Sequence, residues 1–131
     1  MREILFRGKR MDNGEWAYGY YVHIGPVSCQ RAYIIPEYAS SLYVIEVDPS
    51  AVGQYTGLND KHGKRIFEGD VAKVLQGKDK DIVYVGFENG AFMLYPKTGN
   101  IYERTLWEYW YNDWDVEVIG NITDNPELLE K

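Results

Sequence analysis

The sequence predicts a mainly β protein, folded as a barrel or a sandwich. Short runs of β-branched and aromatic residues are separated by turn residues at intervals of about 8–12 positions, a spacing typical of these folds. The chain has 131 residues, a length that suits one domain with a core of its own. No repeat, low-complexity tract or linker divides it.

The first half of the chain is expected to hold five short strands. Asp12-Asn13-Gly14 predicts a hairpin turn, because Asn and Gly tolerate positive φ. In the strand that follows, Trp16, Tyr18, Tyr20 and Val22 alternate along one face with a period of two. The predicted strands cover 3–8, 15–24, 31–35, 42–47 and 52–56, with a break at Asp48-Pro49 between the last two.

The second half is expected to hold four more strands and two short helices. The strands are predicted over 71–75, 82–87, 91–95 and 116–119, with turns at 77–81 and 88–90. Apolar and aromatic residues between 106 and 114 recur at i, i+1, i+4, i+5 and i+8, which places them on one helical face. Asn125-Pro126-Glu127 has the order of an N-cap, a first-turn proline and a first-turn acid, and it predicts a helix over 125–129.

Composition points to a soluble protein. The net charge of -6 disfavours nonspecific attraction to phosphates. Cys29 is the only cysteine, so the fold has no internal disulfide. The first residues lack the apolar stretch of a signal peptide, and no apolar run approaches the ~20 residues of a membrane span. We therefore expect a cytoplasmic protein without membrane contact.

No motif predicts a catalytic, cofactor or metal site. The zinc-type ligands are His23, His62 and Cys29, and they have no ligand spacing. Glu68 and Asp70 offer carboxylates for acid–base work, but their place in a turn before a strand favours bonds to backbone amides. We therefore expect no enzymatic activity and no cofactor.

Another acidic group, Asp113, Asp115 and Glu117, has the alternation of one strand face. Such a face either binds a hard cation or forms a solvated edge that discourages sheet-to-sheet association. The solvated edge is the favoured interpretation, because exposed acids on an edge strand commonly have this role.

Nucleic-acid binding is the alternative function. Small barrels bind single strands with basic residues and stacked aromatics. Basic residues outnumber acids between positions 61 and 80, and aromatic residues follow at 84, 87, 92 and 95. The acidic balance of the whole chain and the lack of an RNA-binding signature weigh against this function.

A protein partner is the favoured expectation, because aromatic residues are abundant. Tyr and Trp are enriched at interface hot spots, and the chain has 4 Trp and 12 Tyr. The candidate contact residues are Trp107, Tyr109, Trp110, Tyr111 and Trp114. The alternative is that these side chains fill the barrel or its mouth.

Several segments carry a resemblance to a known family. They are the stretches at 2–9 and 33–36, then 52–58 and 60–71, and lastly 117–122 with 125–129. Together these segments resemble the YopX family, small proteins encoded by phages and prophages of bacteria. The resemblance covers nearly the whole chain, and the three later stretches make it specific.

The resemblance implies an architecture but no catalytic or binding residue. It implies an SH3-like, partly open β-barrel at about 61–124, with an added N-terminal β region at about 1–60. The short C-terminal helix, at about 125–131, follows from the residues themselves. The resemblance also implies a bacterial host cytoplasm. We predict a non-enzymatic interaction module whose partner is a host or phage protein or further copies of the chain.

Overall fold

Antiparallel strands account for most of residues 3–26, 30–39 and 43–130, the parts of the chain that the computed structural model describes. The first sheet contains β1 (Phe6–Arg10), β2 (Trp16–Ile24), β3 (Arg31–Pro36), β4 (Ile45–Asn59) and β5 (Arg65–Phe67). The second contains β6 (Asp70–Gln76), β7 (Asp79–Glu88), β8 (Ala91–Pro96), β9 (Arg104–Thr105) and β10 (Asp115–Asn121). Between β9 and β10 lies the helix α1 (Leu106–Tyr111), and a 3₁₀ helix covers Pro126–Leu129. The mainly β prediction is confirmed.

The chain divides into two compact units, Met1–Tyr55 and Thr56–Lys131. In the first unit β1 pairs with both β2 and β4, and β3 pairs with β2 and β4. Its core consists of Ala17, Ala32, Ile34, Ile45 and Val47. The alternation predicted in β2 is present, but the aromatic face is the outer one. Tyr18 and Tyr20 are exposed, whereas Ala17 on the opposite face is buried.

A close backbone approach explains one glycine of β2. Gly19 pairs with Pro36 of β3, and a Cβ added at Gly19 would lie 1.9 Å from the carbonyl oxygen of Ile35. No side chain fits in that space, so the sequence requires glycine here.

The predicted break at Asp48-Pro49 is wrong, because β4 continues through it as one strand. The register explains how a proline is tolerated. Gly8 of β1 faces Val52, while Arg10 faces Val47, so extra residues of β4 form a bulge between these two pairs. A bulge accommodates a residue without an N–H. Leu42, where the fourth strand was predicted to begin, lies outside the described residues.

The second unit is organised by neighbouring hairpins. Its sheet has the order β10-β6-β7-β8-β9, so the last strand lies beside the first. Asn89 and Gly90 both have positive φ, 53° and 81°, at the tight turn from β7 to β8. The turn predicted there is confirmed. The core contains Ile66, Ala72, Val74, Val83, Val85, Leu94, Ile101, Leu106, Tyr109 and Val116.

Buried carboxylates hold the loops of this unit. Asp60 accepts hydrogen bonds from the amides of His62, Lys64 and Val118, at 2.9, 2.9 and 3.0 Å. Asp81 accepts from the amide and hydroxyl of Thr98 and from the amide of Asn100. Each carboxylate therefore ties together chain segments that are distant in sequence.

The two predicted helices are both shorter than expected. The aromatic helix ends at Tyr111, so Trp114 lies beyond it. The C-terminal segment forms a 3₁₀ helix with Pro126 in its first turn, as the sequence suggests. Asn125 does not cap this helix with its side chain, and instead accepts the amide of Asn121 at 3.2 Å. No helix among the described residues is long and apolar enough to span a membrane.

Candidate interaction surface

The helix α1 is fixed at its start by a capping residue. The Thr105 hydroxyl accepts the amide of Glu108 at 3.2 Å, which satisfies one of the free N–H groups of the first turn. The Glu108 carboxylate accepts a hydrogen bond from the Arg104 guanidinium at 2.9 Å. The bond from Arg104, which outweighs the effect of desolvation, lowers the pKa of Glu108. The first turn of the helix is therefore anchored by charge and by hydrogen bonds.

The end of α1 is a Schellman motif with aspartate at the left-handed position. The amide of Trp114 bonds to the carbonyl of Tyr109 at 3.0 Å, and that of Asp113 bonds to the carbonyl of Trp110 at 3.2 Å. Asp113 has φ 56°, a conformation that glycine and asparagine adopt more readily than most residues. This motif ends the helix and directs the chain into β10.

The five predicted contact residues divide into two groups. Tyr109 is fully buried in the core of the second unit. Trp114 is half-buried, packs against that core and meets the Tyr109 ring edge-on, with centroids 4.9 Å apart. These two residues fill the unit, as the alternative interpretation of the sequence proposes.

The other three aromatics form the exposed surface of α1. Trp107, Trp110 and Tyr111 are 56%, 58% and 68% exposed. The rings of Trp107 and Tyr111, four residues apart, stack with centroids at 4.9 Å. We call these three residues the α1 aromatic surface.

Next to this surface lies a cleft of about 260 Å³. Its lining includes the tryptophans Trp110 and Trp114 and the exposed aspartates Asp113 and Asp115. The other lining residues are Leu58, Asn59, Asp60, Lys61, Ile66, Leu106 and Val116. Sequence reasoning missed this cleft, because its lining comes from several separate segments of the chain. They are the end of β4 with the loop that follows, β5, α1 with the turn after it, and β10.

The cleft is acidic. Its lining has three aspartates and one lysine. Desolvation opposes ionisation of Asp60, but the amides of Val118, Lys64 and His62 more than compensate and lower its pKa. Lys61 lies 3.9 Å from Glu117, which is also 3.3 Å from His62. The lining of the cleft therefore carries a net negative charge.

The residues considered for acid–base chemistry or metal binding lie in several different parts of the chain. The amide of Phe67 donates to the buried carboxylate of Asp70 at 2.8 Å, which confirms the backbone role expected for this turn. Asp113 precedes β10, so it is not on the strand face of Asp115 and Glu117. Among the described residues there is no group of three or more metal-type ligands. Cys29 lies outside the described residues.

The residues proposed for nucleic-acid binding contact one another and acids. The rings of Tyr84 and Tyr95 are tilted by 34° with centroids 5.0 Å apart, and those of Phe87 and Phe92 meet edge-on at 5.1 Å. The Tyr95 hydroxyl donates to Glu88 at 3.0 Å, and burial together with this bond raises its pKa to about 12. Nucleic-acid binding stays a prediction, which a binding measurement at low salt would decide.

Comparison with known proteins gives the family and a structural relative. The model of the family described as "YopX protein" matches residues 5–130. A solved structure, the crystal structure of protein EF1440 from Enterococcus faecalis, is 25% identical. It covers 99% of this chain and 100% of its own, with a TM-score of 0.62. No curated protein matches. Since the family model matches almost the entire sequence, this chain belongs to the YopX family.

Proposed function

We propose that this protein is a non-enzymatic interaction module that binds a protein of the bacterial host or of a phage through the α1 aromatic surface. The observation that carries this proposal is the exposure of Trp107, Trp110 and Tyr111 on one short helix. Exposed aromatics that lie together are costly in water and are enriched at binding hot spots. Binding by identical copies of the chain is the second form of the same proposal.

The rigidity of α1 supports this role. The helix is anchored at its start by Thr105 and Glu108 and at its end by the Schellman motif. Tyr109 fixes its inner side in the core. A surface held in one conformation loses little side-chain entropy on binding, so more of the contact energy becomes affinity.

The hydrogen bonds that the buried aspartates accept from the backbone support the proposed lack of catalysis. Asp60, Asp70 and Asp81 accept backbone amides, and Asp60 and Asp81 have lowered pKa values. A general acid or base near neutral pH needs a raised carboxyl pKa instead. These carboxylates are therefore suited to hold loops.

The SH3-like form of the second unit and the cytoplasmic location are part of the proposal. The position of β10 beside β6, with α1 placed directly before β10, supports a partly open barrel. The charge of -6 and the single cysteine suit a bacterial cytoplasm.

Capture of partners from a bacterial host lysate tests the function. Trp107→Ala and Trp110→Ala each remove an exposed ring, and Tyr38→Ala, the control, removes a still more exposed ring in the other unit. We expect a partner that is retained by the unaltered chain and by Tyr38→Ala, and lost with both tryptophan variants. Light scattering measures self-association in the same four proteins.

The proposal fails if both tryptophan variants retain every partner and the same mass in solution. Circular dichroism shows whether each variant keeps its fold, so a lost partner is not confused with an unfolded chain.

A further inference from the structure

We propose that the cleft beside α1 is a recognition site for an arginine side chain of a basic segment in the partner protein. The inference rests on the proposed function, since it names the chemistry by which this surface selects its partner. Its central observation is that two tryptophans and two exposed aspartates line one small cleft.

The size of the cleft favours a single side chain. Its volume is about 260 Å³, below the ~300–1,000 Å³ of typical small-molecule sites. An arginine side chain is long and narrow enough for such a space, whereas a cofactor or nucleotide needs more room.

The charge of the cleft selects a cation. Within the described part of the chain, the carboxylates of Asp113 and Asp115 accept no hydrogen bond and form no salt bridge. Asp60 is buried and already accepts three amides, so it contributes negative potential rather than a direct contact. The one lysine of the lining lies near Glu117.

The two tryptophans of the lining favour arginine over lysine. A guanidinium stacks on indole, the strongest aromatic partner for a cation, and binds a carboxylate with two parallel hydrogen bonds. The chain already uses such contacts. The Arg7 guanidinium lies 4.6 Å from the Trp16 ring centroid, and that of Arg104 lies 5.9 Å from Trp114.

The test measures binding of a hexa-arginine peptide by NMR, through the indole N–H signals of Trp110 and Trp114. The Trp110→Phe and Trp114→Phe variants assign these signals. Hexa-lysine and hexa-glutamate peptides of equal length are the comparisons. We expect hexa-arginine to shift both signals, hexa-lysine to bind about threefold more weakly, and hexa-glutamate to cause no shift.

Two matched double variants distinguish the effect of charge at the cleft from the effect of the net charge of the protein. Asp113→Asn with Asp115→Asn removes two charges at the cleft, and asparagine keeps the positive φ of position 113. Glu127→Gln with Glu130→Gln removes two charges from exposed positions elsewhere in the same unit. We expect the first pair to weaken hexa-arginine binding about tenfold and the second to change it less than twofold.

Equal weakening by the two pairs, or unmoved indole signals, overturns the inference. So does self-association of the unaltered chain that disappears with Asp113→Asn and Asp115→Asn, since the occupant is then a second copy. If the captured partner is lost with Trp107→Ala but kept with the aspartate pair, the proposed function stands and the arginine site falls. If hexa-arginine shifts the indole signals but both tryptophan variants still capture every partner, the arginine site stands and the proposed function falls.

Discussion

At the scale of single residues, adjacent side chains of α1 have opposite roles. Tyr109 is fully buried, while Trp110 next to it is 58% exposed. The helical period in the sequence predicts one common face for Leu106, Trp107, Trp110, Tyr111 and Trp114. In the structure Leu106 is buried with Tyr109, whereas Trp107, Trp110 and Tyr111 are exposed and Trp114 lies beyond the helix. Which of them reaches the core depends on the register of α1 against β8 and β9, information that a local pattern does not contain.

Asp60 shows how much one carboxylate contributes to the second unit. Its place in a loop that bonds its own amides follows from the sequence, since aspartate commonly bonds amides two residues away. The hydrogen bond that Asp60 accepts from the Val118 amide does not follow from the sequence, because the two residues are 58 positions apart. The longest connection is thus the one that sequence reasoning misses.

We predict that Asp60→Asn destabilises the protein by about 2–3 kcal/mol. The side-chain NH₂ of asparagine cannot accept a hydrogen bond, so one of the three bonds from backbone N–H groups is lost. The negative charge that strengthens the other two is lost as well. Urea unfolding measures the change. Asp79→Asn at an exposed position is the control and is expected to stay within about 0.5 kcal/mol of the unaltered protein. Equal stability of the two variants would show that the Asp60 bonds contribute little.

At the scale of elements, alternation and turn residues predict most strands but not their interruptions. Asp48-Pro49 has the composition of a break, yet β4 passes through it as a bulge. Composition alone does not distinguish the two, because both need a residue that donates no ladder hydrogen bond. The strand β9 has two residues, too few for any periodic pattern.

Gly19 provides a prediction about the pairing of β2 and β3. Gly19→Ala places a methyl group against the Ile35 carbonyl, so we expect a loss of more than about 4 kcal/mol or failure to fold. Gly14→Ala has open space but a φ of 73°, and its expected cost is about 1–2 kcal/mol. Thermal unfolding ranks the two variants, and a milder effect at Gly19 than at Gly14 would refute the close approach.

At the scale of the whole molecule, the resemblance of separated segments predicts the family, and the family model confirms it. The chain also forms two compact units, and the boundary between them along the sequence falls within β4, between Tyr55 and Thr56. The candidate site follows only in part from the sequence. Its exposed aromatics are among the residues expected, whereas the acidic cleft depends on segments brought together by the fold.

Stability is expected to fall in acid, and the buried carboxylates give the direction. The pKa values of Asp60 and Asp81 are lowered on folding, since the hydrogen bonds that they accept outweigh desolvation. Groups of this kind contribute stability that is fully present above their unfolded pKa of about 4. That stability is lost as the pH falls through the lower pKa of the folded state.

Urea unfolding at a series of pH values measures this dependence. We expect an acid decline below about pH 4 that becomes shallower when Asp60→Asn and Asp81→Asn are combined. Asp79→Asn again serves as the control and is expected to leave the decline unchanged. An equally steep decline in the double variant would assign it to other carboxyls.

The position of β10 beside β6 also sets an order of assembly for the second unit. Strands β6, β7 and β8 are neighbours in sequence and pair through short turns, so their contacts need little loop closure. β10 follows these strands in the sequence and returns to pair with β6. Asp115 and Val116 of β10 line the acidic cleft. We therefore expect a nascent chain to complete this cleft late, when β10 joins a sheet whose sequence-local hairpins are already paired.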